Sequence, residues 1–357
     1  MKQPKVAVLV LNYNGLRWLS DCLSSVLKSD YSDFEVYLVD NGSSDGSVDY
    51  VKRCFPRVRL ICHSINLGFA EGYNQAIKKI DADYVLLLNS DTQVLNPKWI
   101  RCLVEAVTRD PRIAAVVCKM VSMGDHLRLD SVGGMGIPYW RGFVDIGREE
   151  LDHGQYAEGF EPFAFCGGAT LLNYNIFTRF GGFDEKFFMY FEDVDLSWRF
   201  RLLGFRVGFA PEARIAHFFS GSAGSKSVDA LKLYYCHRNL MRSILKNCGS
   251  SLGWALSNYF IYSMIISIGY LFIEPQKTLA LVKTILWNLF NFKDSYTQRL
   301  RIQFTRMIGE SELLAKMYPN LARYQSAKNA TLSHILNILF EVSLPRMQQR
   351  ALDSSTG

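Results

Sequence analysis

The sequence predicts an α/β fold organised around a parallel, doubly wound sheet. In the first ninety residues, short β-branched runs alternate with helical patterns, the order that builds such a sheet. Each run also ends in a cluster of turn-forming polar residues. Finally, 357 residues with 49% hydrophobic and 21% charged content are enough for one α/β domain of about 250 residues and an appendage.

Strands are expected at residues 5–11, 34–39, 58–63 and 84–88, with helices at 17–28, 47–54 and 71–80 between them. Residues 121–162 contain Gly133, Gly134, Gly136 and Pro138, and read as a long loop that serves as a functional flap. Strand character returns at 163–172, a helix is expected at 192–203 and a short strand at 206–210. Beyond Ser220 the pattern is helical, which divides the chain into a catalytic region (1–225) and a helical region (226–357). Part of 321–350 is expected to form a packing helix or a dimer contact.

Charge and cysteine usage narrow the setting. The net charge is +6, and from Glu274 onward eleven Lys/Arg face six Asp/Glu, so this tail carries nearly all of it. No residue between Lys246 and Glu274 is charged. The apolar segment 247–273 is long enough to cross a bilayer, and 278–292 forms a second, interrupted one. The pair predicts a membrane-associating hairpin, with the basic tail on anionic headgroups and not on nucleic acid. A buried helical hairpin of a soluble domain is the competing reading. Eight cysteines without framework spacing, and a strand starting directly after the N-terminus, predict a reducing setting at the cytoplasmic face of the membrane.

The polar clusters fall at strand ends, where open α/β sheets bind ligands. Asn12-Tyr13-Asn14-Gly15 offers an aromatic ring beside a tight turn, suited to a planar base. Asp40 ends the next run and could accept from an imide N–H, whereas Asp45 or Ser47 would start the following helix. Asn66, Gly68 and Gly72 precede a helix where backbone can approach phosphate or ribose. Asn89-Ser90-Asp91 delivers an oxygen ligand for a hard divalent cation, although such an Asp often only caps a helix. The densest cluster holds Asp184 and Glu185, then Glu192, Asp193 and Asp195 behind an aromatic run. A helix dipole accounts for one acid there but not three. One can act as general base and another can bind sugar hydroxyls. His217 follows in an apolar setting that suits a core histidine as well as a metal ligand.

Over about residues 6–219 the order and spacing of these motifs resemble the family 2 glycosyltransferases, in the rhamnosyltransferase-like branch. The resemblance implies a GT-A fold, a Rossmann-like mixed sheet sandwiched by helices, and inverting transfer of a hexose or deoxyhexose from a nucleoside-diphosphate sugar. It implies that Tyr13 and Asp40 hold a uracil or thymine base (a UDP- or dTDP-linked donor) and that Asn66 and Gly68 line the donor cleft. Asp91 and His217 would bind Mg²⁺ or Mn²⁺, Asp193 would be the catalytic base, and Glu192 and Cys166-Gly167-Gly168 would face the sugars. The family's first metal-motif Asp is Asn89 here, which keeps a carbonyl oxygen and loses a charge. With the apolar tail, the implied acceptor is a glycan carried on a lipid, in cell-surface polysaccharide assembly.

Other classes fit less well. A sugar nucleotidyltransferase needs a Gly-rich, basic loop after the first strand, where this chain has Leu11-Asn12-Tyr13-Asn14-Gly15. A processive synthase needs several long spans. A decayed, non-catalytic membrane-surface protein would have lost its acids, and Glu192, Asp193 and Asp195 are present.

Overall fold

The computed structural model describes residues 3–137, 142–157, 159–218 and 226–317. The segment 321–350 and the last part of the basic tail lie outside them. The first elements follow expectation: β1 (Val6–Asn12), α1 (Leu16–Val26), β2 (Phe34–Asp40), α2 (Ser47–Cys54), β3 (Arg59–Cys62), α3 (Gly68–Ile77) and β4 (Tyr84–Asn89). Then come β5 (Thr92–Val94), α4 (Trp99–Thr108), β6 (Ile113–Ser122), β7 (Leu129–Ser131), β8 (Gly134–Ile137), β9 (Gly142–Asp145), β10 (Ala169–Asn173), α5 (Tyr174–Arg179), α6 (Glu192–Leu202) and β11 (Arg206–His217).

The main sheet runs β3-β2-β1-β4-β10-β6-β11-β5, with β7 added alongside β6. It is mixed, not parallel throughout. β10 is antiparallel to both β4 and β6, and β5 and β7 are antiparallel to their partners. Alternating side chains separate two cores: Val6, Val8 and Val10 pack with α1 and α4, while Ala7 and Leu9 pack with α3 and α6. The central strand β6 was not among the expected elements. Its apolar run, broken only by Lys119, is buried on both faces, so it carries none of the alternation that marks a half-exposed strand.

Three further expectations change. Within 121–162 the chain forms β7 and the hairpin β8–β9, and Tyr156 is buried, so the described part of this segment is a structured wall. The run 163–172 is a strand only from Ala169, because the Cys166-Gly167-Gly168 turn precedes it. β11 continues seven residues past the expected end, with a register shift between Ala210 and Arg214. Pro211 stands at that irregularity, where a missing N–H costs no ladder bond.

After residue 225 come α7 (Lys226–Asn247), α8 (Leu252–Ile273), α9 (Pro275–Phe290), α10 (Phe292–Phe304) and α11 (Glu310–Met317). α7 joins this array to α6 through a buried ionic cluster. Arg242 binds Asp184 (2.8 Å), Asp294 (2.6 Å) and Ser295 (2.7 Å), while Lys246 binds Asp184 and, at 3.0 Å, Asp195. Asn247 and Arg199 complete the shell of Asp195 at 2.9 and 3.0 Å. Burial opposes ionisation of both acids, but Lys246 and its neighbours outweigh it and hold the carboxyls below the usual range. Two acids of the dense cluster are therefore structural.

The outer faces of α8 and α9 are apolar. Trp254, Ile261, Met264, Ile268, Leu271 and Phe272 are exposed on α8, and Leu279, Val282, Leu286 and Leu289 on α9. α8 is 22 residues long and apolar enough to cross a membrane, yet its other face is fixed to protein. Tyr259 donates to the His237 carbonyl of α7 at 3.2 Å, and Thr278 donates to the Ser267 carbonyl at 3.1 Å.

Replacing Lys246 with Met should leave Asp195 short of its buried cation. A loss of about 3–5 kcal/mol is expected in chemical denaturation, whereas exposed Lys316→Met should change stability by less than about 1 kcal/mol.

Candidate active site

Three strand pairings assemble the site. In β11–β5, His217 lies opposite Thr92, which sets its imidazole beside Asp91; the Phe218 N–H donates to the Asp91 carbonyl at 2.9 Å. In β10–β4, Ala169 lies opposite Leu88, and the Asn89 N–H donates to the Gly168 carbonyl at 2.9 Å. The same turn offers the Gly167 N–H to the Asp193 carboxylate at 2.9 Å. In β1–β2, Asn12 lies opposite Asp40. These contacts surround a cavity of about 910 Å³, within the range of small-ligand sites.

Tyr13, Asn66, Gly68, Asn89, Glu192, Asp193 and His217 line this cavity. Asp91 adjoins it, with Oδ1 3.4 Å from His217 Nε2. Asp40 stands apart from the lining residues and is 2% exposed. Its oxygens accept from Asn12 Nδ2 (3.0 Å), Ser43 N (2.9 Å) and Ser43 Oγ (2.6 Å), and its neighbour Asn41 is the one on the wall. Asp45 binds Ser47 N (3.1 Å) and Leu16 N (2.9 Å), so it ties the starts of two helices together.

Close backbone approach explains the glycines. Gly68 has φ +75, and a Cβ there would come within 2.1 Å of the Phe188 carbonyl oxygen. Its N–H donates to Asn66 Oδ1 at 2.9 Å and its carbonyl accepts from Asn41 Nδ2 at 2.8 Å. Opposite it, Tyr190 and Phe191 both have positive φ (66 and 69), so α6 begins after two strained residues. That kink turns Glu192 and Asp193 into the cavity.

These two acids differ in environment. Asp193 accepts from the Gly167 and Val194 N–H groups at 2.9 and 2.8 Å. Burial raises it to about 6, against the pull of those donors and with a further push from Asp145. Glu192 is 5% exposed and its Oε2 has no hydrogen-bond partner. Burial and then the charge of Asp193 push it well above the usual carboxylate range. Ionisation of one carboxyl therefore opposes that of its neighbour, and Glu192, with no donor to its Oε2, is the one pushed up further.

Sequence reasoning missed Asp130, Asp145 and Arg148, which also line the cavity. Asp130 Oδ2 lies 2.6 Å from His217 Nδ1, and Arg148 reaches Asp145 at 2.6 Å and Asp130 at 3.6 Å. All three belong to the segment taken for a loop, where only an odd concentration of charge near glycines marked them. Burial opposes protonation of His217, but the hydrogen bonds to Asp130 and Asp91 prevail and raise it to about 9. The pocket therefore favours positive charge between Asp91 and Asp130. Among the described residues no cluster of three or more His, Cys, Asp or Glu could hold a metal ion. Asp91 and His217 together suit a hard cation that takes its other ligands from substrate phosphates and water.

The mixed sheet and this crevice define a glycosyltransferase of the GT-A fold. The chain belongs to family 2 of the glycosyltransferases, in the rhamnosyltransferase-like branch: residues 7–153 match Glycosyl transferase family 2, and residues 84–301 match Glycosyl transferase family group 2. It is 28% identical, over 64% of its length and 80% of the relative's, to the N-acetylglucosaminyl-diphospho-decaprenol L-rhamnosyltransferase of Mycobacterium tuberculosis. It is 27% identical to the O-antigen biosynthesis protein RfbC of Myxococcus xanthus, over 63% of this chain and 18% of that one. Among solved structures, Staphylococcus aureus TarS 1–349 superposes with a TM-score of 0.52 at 15% identity, covering 92% of each chain. GalNAc-T7 with UDP, GalNAc and Mn²⁺ gives a TM-score of 0.55 at 16% identity, over 68% of this chain and 48% of that one.

Gly68→Ala should displace the Phe188 backbone and open the cavity wall. A stability loss above about 1–3 kcal/mol and weaker nucleotide-sugar binding, read by calorimetry, are expected together.

Proposed function

We propose that this glycosyltransferase inverts the anomeric centre of a hexose or deoxyhexose as it moves the sugar from a UDP- or dTDP-linked donor to a lipid-linked glycan. The observation that carries the reading is the ionised carboxylate of Asp193, fixed by two backbone donors and facing the cavity. A base held near 6 is ionised at neutral pH and still basic enough to accept a proton.

In the proposed step Asp193 takes the proton of the acceptor hydroxyl. The acceptor oxygen bonds to the anomeric carbon as the bond from that carbon to the diphosphate oxygen breaks. Glu192, whose Oε2 has no partner within the protein, hydrogen-bonds a sugar hydroxyl. Tyr13 flanks the base, and Asp40 binds it or, as its hydrogen bonds suggest, shapes the turn that presents Asn41. Asp91 and His217 would hold Mg²⁺ or Mn²⁺, which would supply charge neutralisation for the departing diphosphate. The Mn²⁺ in the GalNAc-T7 structure supports that assignment.

The lipid-linked acceptor is supported by the decaprenol-linked substrate in the name of the mycobacterial relative and by the apolar faces of α8 and α9. With one face of α8 fixed to α7, the helix suits lying in a bilayer interface better than crossing it. The cysteines are all unpaired, as a reducing compartment allows, which fits the cytoplasmic face of the membrane.

Asp193→Asn should cut transfer by about 10²–10⁴-fold and leave donor affinity within about threefold. Transfer near the parent rate would remove Asp193 as the base. Because the active form is deprotonated, kcat/KM should fall as pH drops through about 6, and a pH–rate profile reads this directly. Replacing exposed Ile261 and Ile268 with Asp should weaken binding to anionic vesicles about tenfold or more, with unchanged turnover of a water-soluble acceptor analogue.

A further inference from the structure

We propose that Asp130 is a positioning residue that sets His217 for cation binding. The inference rests on the reading of Asp91 and His217 as the cation's ligands, and adds a residue that acts on the cation through His217.

The geometry is specific. Asp130 lies on β7, is 5% exposed, and places Oδ2 2.6 Å from His217 Nδ1. That contact holds the ring by its Nδ1 edge and leaves Nε2 facing Asp91, 3.4 Å away, where a cation bound beside Asp91 would meet it. A ring without this partner is free to adopt the other tautomer or to turn its carbon edge to the cavity. The carboxylate is itself gripped. Arg148 lies 3.6 Å from its other oxygen and is anchored by Asp145 at 2.6 Å, which in turn accepts from Ser131 Oγ at 2.9 Å. The backbone is fixed as well: β7 pairs with β6, and the Met123 N–H donates to the His217 carbonyl at 2.9 Å. A charged carboxylate on the far nitrogen also raises the basicity of the ligating one, and loss of such a partner costs about 10–100-fold in metal affinity.

The test is a Mn²⁺ titration of the full chain, alone and with UDP or dTDP, reading free Mn²⁺ by electron paramagnetic resonance. Asp130→Ala should weaken Mn²⁺ about 10–100-fold. Asp130→Asn, which keeps an acceptor for Nδ1 but loses the charge, should weaken it less. His217→Ala should lose at least as much as Asp130→Ala, and the double variant should bind no worse than His217→Ala alone. If His217→Ala weakens Mn²⁺ while both Asp130 variants stay within twofold of the parent, the positioning role is wrong and the cation site stands. Losses that add in the double variant also overturn it, because Asp130 would then act elsewhere. If His217→Ala leaves Mn²⁺ binding unchanged, the ligand assignment fails and takes this inference with it. Should Asp130→Ala not fold, Asp130→Asn decides: parental affinity overturns the proposal.

Discussion

The Cys166-Gly167-Gly168 turn is the constraint on which the site depends. Its Gly168 carbonyl accepts from the Asn89 N–H at the end of the sheet, and its Gly167 N–H binds Asp193 at the start of α6. One turn thereby fixes the distance between the strand end that carries Asp91 and the helix that carries Asp193. Glycine at 167 lets the Phe69 ring close on the turn, since a Cβ there would sit 2.6 Å from that ring and push it aside. The antiparallel insertion of β10 between β4 and β6 brings this turn to the crevice.

Charge is arranged with the same economy. Four carboxylates crowd around the start of α6, and ionising all of them in a buried place would be prohibitive. Asp184 and Asp195 are neutralised by Arg242 and Lys246 from α7. Burial and the neighbouring Asp193 push Glu192 toward its neutral form, while Asp193 is held by the backbone N–H groups of Gly167 and Val194. A group in that position is poised to gain a proton, which is what a general base does. The strained Tyr190-Phe191 entry belongs to the same arrangement, since a relaxed helix start would aim these side chains elsewhere.

Much of this was legible in the sequence, for identifiable reasons. β1 to β4 are short β-branched runs that stop at polar turns, and Tyr13, Asn66, Gly68, Asn89 and Asp91 lie at or just after those ends, so one pattern exposed the fold and one side of the site. β6 was hidden because a strand buried on both faces shows no periodicity of two. The division of labour among the acids could not be read, because Arg242 and Lys246 lie some fifty residues away on another helix. Asp130 was hidden for a related reason: its significance comes from a pairing with His217 across 87 positions, inside a segment whose glycines imitate a loop.

α7 connects these levels. Lys232 and Cys236 on one side of it line the cavity, Arg242 and Lys246 grip the acids behind the base, and further faces carry α8 and α9. A helix with that many buried ionic contacts is costly to shift, because moving it would leave charges unpaired in the protein interior. Whatever the apolar faces of α8 and α9 rest against is therefore held in a set orientation to Asp193. For an acceptor whose reactive sugar is tethered to a lipid, such rigidity would do part of the catalytic work, since it confines the attacking hydroxyl before the base ever meets it.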